Sequence, residues 1–177
     1  MNILYISGSP RADSNTDILL HTALSVTGGQ LLKLKNYKIN PCNSCWACLK
    51  LHTCAIQDEM TSQIMPLLLD CDCMVLGSPV YFNNVSSILK AFIDRTWCLK
   101  GKLRNKIGAA VVVGRGYGAE GTVTAINAFF LKHEMFVANR GVSGNAFKSG
   151  EITQKQEAIE LARLLGRRII EMGGLIN

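Results

Sequence analysis

Short apolar runs alternate along this chain with amphipathic stretches of helical period. Residues 2–7, with Ile3, Leu4, Tyr5 and Ile6, read as a buried strand that ends at Gly8-Ser9-Pro10. Residues 14–26 place Ile18, Leu19, Leu20, Ala23, Leu24 and Val26 at helical spacing, and Gly28-Gly29 stops that helix. A second strand is predicted over 30–35 and a third over 72–77. Asp58-Glu59 suits the N-terminus of a helix between them, where carboxylates meet the positive end of the dipole, and Pro66 should kink or shorten it. A helix over 86–97 points Ile88, Leu89, Phe92 and Ile93 inward. Residues 107–113 form the most continuous apolar strand. A helix over about 122–134, a weaker strand over 135–142 and an amphipathic helix over about 153–172 complete the chain, the last burying Ala158, Leu161, Ala162, Leu165 and Ile169.

Fully apolar strands separated by helices imply a parallel sheet covered on both faces. The expected architecture is α/β: a doubly wound five-stranded parallel sheet of flavodoxin-like order, with a cysteine-containing loop after the second strand. Ligands of such sheets bind beyond the carboxyl ends of the strands. Residues 7–16, 78–86 and 114–121 fall there.

Composition narrows the class without naming a chemistry. The 177 residues fit one domain spanning 1–177, and 48% hydrophobic with 18% charged residues is ordinary for a globular protein. No apolar run approaches the ~20 residues needed to cross a bilayer, so no membrane partner is expected. The first strand begins without a basic leader, which points to a reduced, cytoplasmic setting. The net charge of +6 is scattered rather than blocked, which argues against nucleic acid and leaves a solvated basic surface, a phosphate-bearing cofactor or an acidic protein partner.

The three loops carry the candidate chemistry. Residues 7–16 offer the hydroxyls of Ser7, Ser9, Ser14 and Thr16, the amide of Asn15 and the guanidinium of Arg11, and then open a helix. A helix N-terminus presents unpaired N–H groups to a phosphate, and Arg11 can grip one bidentately. The bland alternative is a turn capped by Ser14 or Asn15; Asp13 and Asp17 count against an anion unless they point outward. The Walker ending is missing. In residues 78–86, Pro79, Val80, Tyr81, Phe82 and Asn83 follow a buried strand, and two adjacent aromatics there suit a flat heterocycle or, failing that, local packing. Gly116-x-Gly118-x-x-Gly121 formally matches a dinucleotide fingerprint, but too little chain follows for a nucleotide half. Gly114, Gly116, Tyr117 and Gly118 better serve as a turn that lets backbone approach a flat ligand.

Four of the seven cysteines, Cys42, Cys45, Cys48 and Cys54, form C-x2-C-x2-C-x5-C. Thiolates at that spacing suit an iron–sulfur cluster. Zinc, whose ligands usually come as two separated pairs, and free thiols remain open. Cys71, Cys73 and Cys98 read as small buried hydrophobes. His21, His52 and His133 show no catalytic or metal-ligand spacing, apart from the place of His52 within the cysteine loop. Lys90, Asp94 and Arg95 read as helix-surface charges, the first two paired at i, i+4.

Gly8-Ser9-Pro10-Arg11, Ser14-Asn15-Thr16, the cysteine run, Asp58-Glu59-Met60, Gly77-Ser78-Pro79-Val80-Tyr81-Phe82 and Lys90-x-x-x-Asp94-Arg95 together resemble the iron–sulfur flavoproteins, within the NADPH-dependent FMN reductases of flavodoxin-like fold. The resemblance covers about the first 100 residues. It implies FMN, with Ser9, Arg11, Asn15 and Thr16 on its phosphate and residues 79–83 and 114–118 around its ring. It also implies a [4Fe–4S] cluster on the four cysteines. Electrons would pass from a ferredoxin-type donor, or NAD(P)H, to a small-molecule acceptor, in a homodimer or homotetramer. No catalytic acid–base residue is expected, because the flavin carries the redox chemistry. Two features depart from the family pattern: Glu59 stands where Asp is commoner, and Pro66 interrupts its helix.

Overall fold

The computed structural model describes residues 1–176. The elements follow in the order β1 (Ile3–Ser7), α1 (Asn15–Thr27), β2 (Gln30–Lys33), α2 (Cys48–Leu51), α3 (Met65–Asp70), β3 (Cys73–Pro79), α4 (Ser87–Arg95), β4 (Ile107–Gly114), α5 (Ala119–Lys132), β5 (Phe136–Val137), β6 (Val142–Asn145) and α6 (Gln156–Ile176). All strand pairs are parallel, in the order β2-β1-β3-β4-β5. That is the flavodoxin-like order, with its switch point between β1 and β3.

The strand alternation sorts the core into two layers. Leu4, Ile6, Met74, Leu76, Ala110 and Val112 face the side covered by α3, α4 and α5, where Leu68, Leu89, Phe92, Ile126 and Phe130 meet them. Ile3, Tyr5, Cys73, Val75, Ala109 and Val111 face α1 and α6, against Leu19, Leu20, Ala162 and Leu165. Every residue of β4 is buried, as its unbroken apolar run requires. Burial raises the Cys71 thiol to about 11 and pushes that of Cys73 further still, so both behave as core hydrophobes.

The fifth strand departs from expectation. Phe136 and Val137 pair with the start of β4, Val142–Asn145 pair with its end, and the sheet's fifth position is interrupted between them. Gly141, at φ +103, donates its amide to the Asn139 side chain in that break. A single strand over 135–142 is therefore corrected to two short ones. Helix α5 begins at Ala119, directly after Gly118, rather than near 122.

Pro66 acts as its chemistry dictates. It stands in the first turn of α3, preceded by a wide π turn over Met60–Ile64 in which the Met65 amide reaches the Met60 carbonyl. The widened turn accommodates a residue that has no N–H to donate and whose ring clashes with the preceding turn.

Candidate functional site

The β1–α1 loop is shaped by its own hydroxyls. Ser14 caps α1 by accepting from the Asp17 amide at 3.2 Å, which leaves the Asn15 and Thr16 amides in the first turn without an intrahelical acceptor. Asp17 lies beneath the loop: Ser7 donates its hydroxyl to it, and Lys33 pairs with it at 2.8 Å. Its charge is thereby neutralised behind the helix terminus, while Asp13 is exposed. At Gly8 a β-carbon would stand 2.6 Å from that of Leu89, so only glycine lets this loop cross α4.

Residues 80–84 close on themselves. Tyr81 and Asn84 exchange amide–carbonyl bonds at 2.9 and 3.0 Å, with Phe82 and Asn83 between them at φ +48 and +60. Two positive φ values make this a tight hairpin of the type that normally takes Asn-Gly. A phenylalanine there is strained, and the strain presents its ring fully to solvent, at 104% relative exposure.

The two loops and the segment after β4 converge. Ser9, Arg11, Ser14, Asn15 and Thr16 line one narrow hollow of about 90 Å³ together with Pro79, Val80, Tyr81 and Gly114. A wider hollow of about 240 Å³ adjoins it, bordered by Val80, Phe82, Asn83 and Tyr117. Gly116 and Gly118 border neither; they set the path of the loop. Gly118, at φ +77, packs so closely on the Asn83 amide that a side chain would collide with it.

Sequence reasoning missed a third wall. Ala146 and Phe147 border the narrow hollow, beside Arg115 of the expected 114–118 turn, which borders both hollows. The Ala146 amide donates to the Gly114 carbonyl at 2.9 Å, and the Asn15 side chain holds the segment beyond it, donating to the Lys148 carbonyl at 2.8 Å and accepting from the Ile152 amide at 3.3 Å. That side chain therefore fastens the segment after β6, leaving only its backbone amide toward the hollow. The signal in the sequence was the site's own logic, since β6 is one more parallel strand with a loop at its carboxyl end.

The cysteines gather elsewhere. Cys42, Cys45, Cys48 and Cys54 line a cavity of about 350 Å³ that shares no residue with the other two. Three non-glycine residues of its loop, Ser44, Trp46 and His52, hold φ between +54 and +56. Local strain so concentrated marks a loop held in one conformation by its surroundings. Among the described residues no three Cys, His, Asp or Glu side chains converge on one ion. Cys98 also borders this cavity, and burial followed by the neighbouring Cys54 and Cys48 raises its thiol to about 11.

Arg95 corrects the surface-charge reading. Lys90 and Asp94 do form the expected exposed pair, at 2.6 Å, but Arg95 is 1% exposed and pairs with Asp58 at 2.7 Å. Burial would raise the Asp58 carboxyl; hydrogen bonds from Arg95 and the Asn40 amide outweigh it and hold the group at about 2. The spacing contained this, because Arg95 follows Phe92 by three residues on the buried stripe.

Residues 1–148 match the NADPH-dependent FMN reductase family. An iron–sulfur flavoprotein of Methanocaldococcus jannaschii is 36% identical over 193 residues, covering 100% of both chains. The chain belongs to this family, among its iron–sulfur flavoproteins. A second iron–sulfur flavoprotein, from Archaeoglobus fulgidus, is 30% identical over 97% of this chain and 95% of its own. The fold also matches the Trp repressor binding protein of Bacillus subtilis, with a TM-score of 0.73 at 21% identity over 93% of this chain and 97% of that one. As a member of the FMN reductase family the protein is a flavin-dependent oxidoreductase. No helix among the described residues is long and apolar enough to cross a membrane.

Proposed function

We propose that the protein is an electron-transfer flavoprotein that uses FMN and a [4Fe–4S] cluster to pass electrons from a ferredoxin-type donor to a small-molecule acceptor. The observation that carries the proposal is the pair of separate sites: a helix-terminus cradle with adjoining aromatic hollow, and a distinct cavity bordered by all four spaced cysteines.

The residues fit both groups. One phosphate cradle, with no second nucleotide half, favours FMN over FAD. The Asn15 and Thr16 amides and the Arg11 guanidinium would hold the phosphate, and Ser9 and Thr16 would add hydroxyls. Tyr81, Phe82 and Tyr117 would wall the ring, with Asn83 available to its polar edge. All four thiols border that one cavity, and four thiolates are the ligand set that a [4Fe–4S] cluster takes. Bound FMN supplies one- and two-electron chemistry, and the cluster supplies single-electron transfer.

The chain's own part is positional. The first turn of α1 would offset phosphate charge, and the 80–84 hairpin and 114–118 turn would restrict water around the ring. The exposed Phe82, Tyr117 and Phe147 form an apolar rim that we assign to a neighbouring subunit in a homodimer or homotetramer.

Cys48→Ser tests the division of labour. It should lose the cluster's visible absorbance and reduction by a ferredoxin-like donor while FMN content stays near stoichiometric. The lack of a three-ligand cluster in the described residues favours one other reading, an NAD(P)H-dependent FMN or quinone reductase with free thiols. Full turnover by Cys48→Ser would remove the cysteines from electron flow, and turnover with NAD(P)H in place of the ferredoxin-like donor would then support that second reading.

A further inference from the structure

The guanidinium of Arg95 is wholly enclosed at the end of α4, and six contacts account for it. Its two terminal nitrogens donate to Asp58 at 2.7 and 3.0 Å, to the carbonyls of Asn40 and Ile56 at 2.8 and 3.1 Å, and to the Thr61 hydroxyl at 3.0 Å. Its Nε donates to the sulfur of Cys54 at 3.2 Å. The partners lie on both sides of the cysteine loop: Asn40 before it, Ile56, Asp58 and Thr61 after it. Asp58 completes the closure by accepting from the Asn40 amide at 2.9 Å. One buried ion pair therefore clamps the two ends of a loop whose first two cysteines are exposed.

A clamp alone would need only the terminal nitrogens. The Nε–H is spent on a sulfur, and that sulfur is one of the four that border the cavity. A charge-assisted donor on a ligand sulfur fixes where that sulfur points. It also draws electron density from it, which favours the more negative, reduced state of whatever the thiolate ligates.

We propose that Arg95 is a positioning residue for the iron–sulfur centre: through its Nε–H···Sγ contact it orients Cys54 and raises the centre's one-electron reduction potential. This rests on the cluster reading above. Lysine at this position keeps the charge opposite Asp58 but lacks the planar fork that reaches carboxylate, carbonyls and sulfur together.

The experiment compares wild type with Arg95→Lys, both purified anaerobically. Iron, acid-labile sulfide and FMN are quantified, and each protein is titrated with dithionite and redox mediators while the cluster is followed by electron paramagnetic resonance. Arg95→Lys should keep FMN at wild-type content and leave the flavin potential unchanged. Its cluster potential should fall by about 59 mV, a tenfold change in the one-electron equilibrium. An Arg95→Lys protein that keeps FMN but cannot assemble the cluster also supports the assignment, through placement of Cys54. An unchanged cluster potential overturns it, as does loss of FMN together with the cluster, which would make Arg95 a general support of the fold. Wild-type protein devoid of iron and sulfide would overturn the cluster reading, and this assignment with it.

Discussion

The guanidinium of Arg115 lies 3.8 Å from the centre of the Phe147 ring, joining the loop after β4 to the segment after β6 across the mouth of the narrow hollow. The contact gives the cradle a side wall that neither loop could make alone. A cation on an aromatic face contributes about 0.5–1 kcal/mol at an exposed site. Phe147→Ala should weaken FMN binding by at most about two- to fivefold, as far as that contact preorganises the wall, measured by titrating the apoprotein with FMN and following the quenching of flavin fluorescence. An unchanged affinity would remove this wall from the site.

Arg11 makes a sharper claim, because it concerns one part of the ligand. Losing a charge-assisted contact to phosphate costs about 1–3 kcal/mol. Arg11→Ala should raise the Kd for FMN by about tenfold or more and leave that for riboflavin, which lacks the phosphate, nearly unchanged. Equal losses for both ligands would place Arg11 away from the phosphate.

Asp58 should govern acid stability. Its carboxyl is held at about 2 in the folded protein, against an ordinary value of 3.8. A depressed folded value contributes stability that is fully present above about pH 4 and is lost as pH falls toward about 2. The shift corresponds to about 2 kcal/mol. Asp58→Asn should cost about 3–5 kcal/mol at pH 7, because it leaves Arg95 buried without its counter-charge. It should also flatten the fall in stability between pH 4 and 2. Urea denaturation across that range reads both effects.

The apolar rim predicts assembly. Phe82→Glu places a charge on the most exposed ring of the molecule, at a strained hairpin tip. The wild-type protein should scatter light as a dimer or tetramer at micromolar concentration, and Phe82→Glu should shift it toward the 19.3 kDa monomer. A wild-type protein that is already monomeric would contradict the assignment of the rim.

Much of this was legible in the chain because the relevant physics is local. Ser14 reads as a cap, Gly28 as a stop and 107–113 as a buried strand from their neighbours alone, and the structure has each in that role. The residues chosen for the cradle stand together because parallel strands put their following loops on one edge. What escaped was set by contacts far apart in sequence. Phe147 joins the site through contacts remote in sequence, among them the Asn15 side chain's bond to the Lys148 carbonyl 133 positions away and the Arg115 guanidinium on its ring. The stripe that carries Phe92 also carries Arg95, but its counter-charge, Asp58, stands 37 positions earlier and is brought to it only by the fold. The fifth strand divides where Asn139-Arg140-Gly141 interrupt its apolar content, and the pairing with β4 breaks at the same place.

The central claim is that two separate redox centres share this chain, and composition tests it most directly. Protein purified without oxygen should contain about one FMN, about four iron atoms and about four acid-labile sulfides per chain. FMN without iron and sulfide under those conditions would contradict the account and leave a flavin reductase whose cysteine cavity carries no cluster.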